Sequence, residues 1–228
     1  MRALLRAALR PWDGFPLGAE SGGAAFGALL RWRLPLAILD ALLGWWSLGA
    51  TVARLRGLGE PMLLEAWRRQ GGEVADLRAA LAELPALPGL ARAWPWLLLA
   101  APLGLLGLWL HHAVWDHGCL WLLRGVDRDR GFRTTLWAEA EALTVGSVGV
   151  ALGLLGHLPG LGLLLSLPLG LLGLWFWALR GFALAARHGC PAWKGVAATG
   201  LHLLLVGCCA CGLLWGFAGL VASGLGTP

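Results

Sequence analysis

The chain has 228 residues, of which 58% are hydrophobic and only 14% charged, with a mean hydropathy of +0.69 and a net charge of +5. Soluble domains carry about 25% charged residues, so a water-soluble fold of this size could not cover its apolar surface. The basic residues are dispersed at the ends of apolar segments instead of forming one patch, which excludes nucleic acid as the partner and makes the lipid bilayer the expected surroundings.

At the N-terminus, Arg2, Arg6 and Arg10 recur every four residues with Leu4, Leu5 and Leu9 largely off that face, which predicts a short amphipathic helix on the inner leaflet. No continuous apolar core suggests a cleavable signal there. Residues 1–33 are therefore expected to form a cytoplasmic segment. An apolar run of roughly 20 residues is enough to cross a hydrocarbon core about 30 Å thick. Five runs approach that length, at about 34–53, 94–116, 142–158, 161–182 and 195–220. The expected fold class is thus an all-α integral membrane protein with five transmembrane helices.

Between the first two spans, Leu63, Trp67, Val74, Leu77, Leu81 and Leu84 recur at helical spacing, with Glu65, Arg69, Glu73 and Asp76 elsewhere. That pattern predicts an external amphipathic segment over 62–84, interrupted at Gly71 and Gly72. In this arrangement twelve basic residues fall on the N-terminal side of the membrane and six on the other. The positive-inside rule then places the N-terminus in the cytoplasm and the C-terminus outside, in a multi-pass cell-membrane protein.

The composition has further features. There are 35 glycines, and small residues such as Gly149, Gly153 and Gly156 at spacings of four and three permit close helix approach. The 15 tryptophans reflect a GC-rich coding bias and interfacial anchoring. Cys208, Cys209 and Cys211 lie in an apolar run without a CxxC framework, where cysteine behaves as a small hydrophobe.

Ionisable residues inside apolar spans mark sites of interest because a central charge costs about 2.5–3.5 kcal/mol on insertion scales. Asp40 lies some 10 Å into the first span at 1.5 Å per residue. A second group gathers near the cytoplasmic ends: His111, His112, Asp116 and His117 on the second span, Glu139 and Glu141 before the third, and His202 early in the fifth. His112 and Asp116, four apart, share a helix face. Such groups can relay protons or bind metal, but the HHxxxDH pattern is not a zinc-protease motif. The expectation is local pairing at the headgroup level, with no catalytic residue, metal or cofactor. No nucleophile elbow, phosphate loop or Rossmann pattern is present, so an enzyme is not expected.

From the second span onward, the order of short segments resembles the Yip (Ypt-interacting protein) family of membrane proteins. The segments are His117-Gly118-Cys119-Leu120 running to Arg124-Gly125, then Gly131-Phe132-Arg133-Thr134-Thr135, the Pro159 to Gly162 turn, and Ala186-Arg187-His188-Gly189. Where bacterial members carry a Tyr-Ala-x-x-Pro-like motif, this chain has Glu141 and Val145 at the Tyr and Pro positions. The resemblance implies a five-span bundle, bacterial and of the inner membrane, serving without enzymatic chemistry as a scaffold, assembly factor or bilayer-organising protein with membrane-protein partners. It implies no cofactor. Intramembrane Asp and His residues make a proton, ion or small-solute transporter the alternative. An accessory subunit of a larger membrane complex is a third possibility, on composition alone.

Overall fold

A computed structural model describes residues 2–18, 21–69, 89–126, 129–158 and 161–225, all of them helix, turn or connecting coil, with no strand among them. In chain order the helices are α1 (Arg2–Leu9), α2 (Pro11–Gly14), α3 (Gly22–Arg69), α4 (Leu90–Leu122), α5 (Gly131–Gly153), α6 (Leu161–His188) and α7 (Ala192–Leu225). A 3-10 turn, Leu154–His157, ends α5. Four segments are long and apolar enough to cross a membrane: Ala91–Leu122, Gly131–His157, Leu161–His188 and Ala192–Leu213. Run 34–53 lies within the 48 residues of α3, which continues unbroken through its flanking arginines. Of the amphipathic segment expected over 62–84, the part up to Arg69 belongs to α3, and Leu77 and Leu81 lie outside the described residues.

Proline does not break these helices. Pro95 and Pro102 lie inside α4, and Pro168 lies inside α6. Neighbouring helices and local backbone adjustment can accommodate the lost backbone bond.

α5 is central and packs against α3, α4 and α6, while α7 packs on α4 and α6. Its buried face is made largely of small residues, including Ala138, Ala140 and Ala142 at 3% exposure or less. They allow close helix approach, the main source of association where lipid tails are as apolar as the side chains. The main core joins Ala138, Ala142 and Val145 to Leu179, Ala183 and Leu184 of α6. Large apolar side chains point outward instead, among them Leu163 at 88% and Leu213 at 76% exposure. That inversion of the soluble pattern fits a lipid surround.

The N-terminal helix is more than a surface float. Ala7 and Ala8 are buried in the main core, and Trp175 of α6 donates from Nε1 to the carbonyl of Ala8 at 2.8 Å. Arg2, Leu5, Arg6 and Leu9 remain exposed.

Residues 123–126 and the turn 189–191 lie together at one end of the bundle, hereafter the turn end, where Lys194 Nζ donates to the carbonyl of Arg124 at 2.9 Å. Gly189 takes φ +68° and the N–H of Cys190 reaches back to the carbonyl of Ala185 at 3.1 Å. That left-handed glycine closes α6 and lets α7 begin three residues later.

Candidate functional site: a buried ion network and a lateral groove

α5 begins at Gly131, so Glu139 and Glu141 do not precede a span as the sequence reading placed them; they lie inside the helix, both buried. Arg180, counted in that reading as a cytoplasmic topology charge, is 4% exposed and inside α6. At 1.5 Å per residue, Asp116, Glu139, Arg180 and His202 lie about 9–15 Å in from the turn-end termini of their helices. Four different helices thus deliver one polar side chain each to the same level. The local pairing expected of Asp116 and His117 at the headgroup level gives way, for these four residues, to contacts between helices.

Arg180 is the hub. Its Nε donates to Glu139 Oε2 at 3.0 Å, and its Nη2 donates to Asp116 Oδ2. The guanidinium also lies over the ring of Trp177, 4.4 Å from the centroid. His202 Nδ1 is 2.6 Å from Asp116 Oδ1, and its Nε2 is 3.3 Å from Nε2 of His111. His112 Nδ1 lies 3.9 Å from Glu139 Oε2. A guanidinium fork suits this arrangement because its planar donors can face two carboxylates at once. Some polar capacity is left over: His112 Nδ1, Glu139 Oε1 and Arg180 Nη1 are buried without a hydrogen-bond partner.

Two smaller polar sets lie nearby. Arg187 reaches both carboxylate oxygens of Glu141 and stacks 3.7 Å from the Trp137 ring centroid. His117 Nδ1 and His188 Nε2 each contact the buried Thr135 hydroxyl, at 2.8 and 2.9 Å. The structure therefore separates His117 and Glu141 from the group formed by His111, His112, Asp116 and His202.

Asp40 is in a different place again. Its carboxylate, half exposed, meets His157 Nε2 at 2.9 Å, and Ser47 Oγ lies 3.3 Å from the other ring nitrogen. Between this pair and the Arg180 hub runs a groove of about 480 Å³, floored by Gly146, Gly149 and Gly153 of α5 and walled by α3 and α6. Asp40 and His157 line it along with His112 and Arg180. Arg33 also lines it and is held by a 2.8 Å hydrogen bond to the Gly146 carbonyl. Its volume lies in the range of ordinary small-molecule sites, about 300–1,000 Å³.

The residues missed by sequence reasoning are Arg180, Arg187, His157, Thr135 and His188. Arg180 carried a legible signal, since it stands eight residues inside a 28-residue apolar helix. A position that deep favours a buried partner over a loop role. Thr135 and His157 have no such mark, because their importance comes from contacts across long sequence separations.

No group of three or more His, Cys, Asp or Glu side chains with metal-binding geometry occurs among the described residues. Cys208, Cys209 and Cys211 are exposed on the apolar face of α7, and all five cysteines are free thiols. In the turn between α6 and α7, burial pushes the Cys190 thiol up, against the opposing pull of Lys194, so the reactive thiolate is disfavoured. Compared with protein-family models, curated proteins and solved structures, the chain matches none. Its apolar helices are compatible with a multi-pass membrane protein.

Proposed function

We propose that this chain is a five-span, non-enzymatic protein of a bacterial inner membrane that organises the bilayer or its membrane-protein partners, as the resemblance to the Yip family implies. The observation that carries this reading is the Arg180 network, in which ionisable side chains from four helices contact one another and tie the bundle together. The outer faces are left apolar for lipid or partner helices. The segment 34–53 of α3 supplies the fifth span, and an external amphipathic segment follows it. With Arg180 and Arg187 engaged inside the bundle, ten basic residues still oppose six, which supports a cytoplasmic N-terminus and an external C-terminus.

The groove favours a second reading, transport of a proton, ion or small solute, because it joins Asp40 and His157 to His112 and Arg180. Purified protein in liposomes separates the two. The scaffold reading expects no stoichiometric metal and no proton flux that depends on His112. A flux abolished by His112→Gln, or bound metal lost together with His112 and Asp116, in protein that still folds, replaces scaffolding with transport.

A further inference from the structure

The Arg180 network does not balance in charge. Asp116 and Glu139 are both at 0% exposure, and among the described residues Arg180 is the one arginine or lysine that contacts them. A buried charge left uncompensated costs several kcal/mol, more than a folded bundle readily tolerates. The other charged groups around the pair are occupied. Arg33 on α3 is bonded to Gly146 and faces Asp40, and Arg187 on α6 holds Glu141.

The histidines are poor places for the missing positive charge. His202 on α7 presents Nδ1 both to Asp116 and, at 3.4 Å, to Nη2 of Arg180, so an imidazolium would stand against the guanidinium. A neutral His202 donating from Nδ1 to Asp116 leaves Nε2 to accept from His111 of α4. His112, also on α4, faces Arg180 and His202.

The two carboxylates are not equivalent. Asp116 receives hydrogen bonds from Arg180 and His202. Glu139 receives one, from Arg180 Nε, and its Oε1 receives none. Both carboxyl groups bond the same guanidinium, Glu139 through Nε and Asp116 through Nη2. Two buried carboxylates on one cation carry a surplus negative charge, and one proton held between them removes it.

We propose that Glu139 and Asp116 form a proton-binding pair, holding one exchangeable proton on Glu139 beside Arg180, and that His112 passes this proton to the groove. His112 is placed for that role because it lines the groove and lies 3.9 Å from Glu139. The proposal goes beyond the scaffold reading and does not depend on it.

Infrared difference spectroscopy of the full chain in liposomes on transfer from H2O to D2O tests it. At neutral pH the native protein should show one carboxylic-acid C=O band that shifts on deuteration. The band should vanish in Glu139→Gln and equally in Asp116→Asn, because in either variant the remaining carboxylate ionises against Arg180. Glu141→Gln, outside the pair, should retain it. His112→Gln should keep the band but slow its exchange by about a hundredfold, the low side of what a positioned proton carrier contributes. The absence of a band in the native protein, or its survival in both Glu139→Gln and Asp116→Asn, overturns the site. Unchanged exchange in His112→Gln overturns the route. Should one variant fail to fold, the native band and the other variant still decide the matter. A missing band would leave the topology and scaffold reading intact, since those are tested by labelling and flux.

Discussion

Gly181 and Gly195 form the closest approach of α6 to α7, and replacing Gly195 by Ala is the sharpest test of the packing. An ideal Cβ at Gly195 would stand 2.0 Å from the Gly181 carbonyl oxygen and 2.9 Å from its carbon, and one at Gly181 would stand 2.4 Å from Cα of Val196. The obstacles are backbone atoms, so no rotamer change relieves them; the helices must separate by more than 1 Å to reach ordinary contact. Overpacking of this kind costs about 1–3 kcal/mol. An alanine also gains up to about 1 kcal/mol over glycine in helix propensity, so the propensity gain is measured separately at Gly200. That residue is on the same helix, and an added Cβ there meets nothing within 4 Å. Reversible unfolding in mixed micelles, followed by tryptophan fluorescence, should show Gly195→Ala less stable than Gly200→Ala by about 1–3 kcal/mol. The double variant Gly181→Ala/Gly195→Ala should cost less than the sum of its parts, because one separation of the helices relieves both clashes. Equal stability of Gly195→Ala and Gly200→Ala, in folded protein, would refute the close approach.

Replacing Arg180 by Gln removes the cation that two buried carboxylates share. It should destabilise the bundle by about 3–5 kcal/mol, while the same change at the exposed Arg92 should cost about 0–1 kcal/mol; chemical denaturation in detergent compares the two, and equal costs would argue against the network. A single reactive cysteine at Gly224, in a background without the native cysteines, should be labelled in intact cells by an impermeant thiol reagent. Labelling only after lysis would contradict an external C-terminus.

The sequence by itself determined the all-helical class and the apolar runs of membrane-spanning length, because both are local properties of the chain. It also picked out Asp116, His111, His112 and His202, since an ionisable residue in an apolar run is visible without knowing its neighbours. The depth of Arg180 inside its apolar helix marks a buried role, but the sequence did not reveal that it is their hub, because its partners Glu139, Asp116 and His202 stand 41, 64 and 22 residues away. The helix boundaries hid the burial of Glu139 for a related reason: α5 starts eleven residues before the apolar run does, and packing against α3, α4 and α6 buries its polar residues Thr135, Glu139 and Glu141. Among 35 glycines, pattern alone favoured Gly149, Gly153 and Gly156. The tertiary structure bears out Gly149, where an added Cβ would stand 2.1 Å from the Phe176 ring of α6, leaves Gly153 with nothing within 4 Å, and adds the close backbone approach of Gly181 to Gly195, which the pattern did not pick. Asp40 finds His157 across 117 residues. Such pairings depend on which helix faces meet, and that is set by the summed packing of α3, α5, α6 and α7, which no local pattern in the chain records.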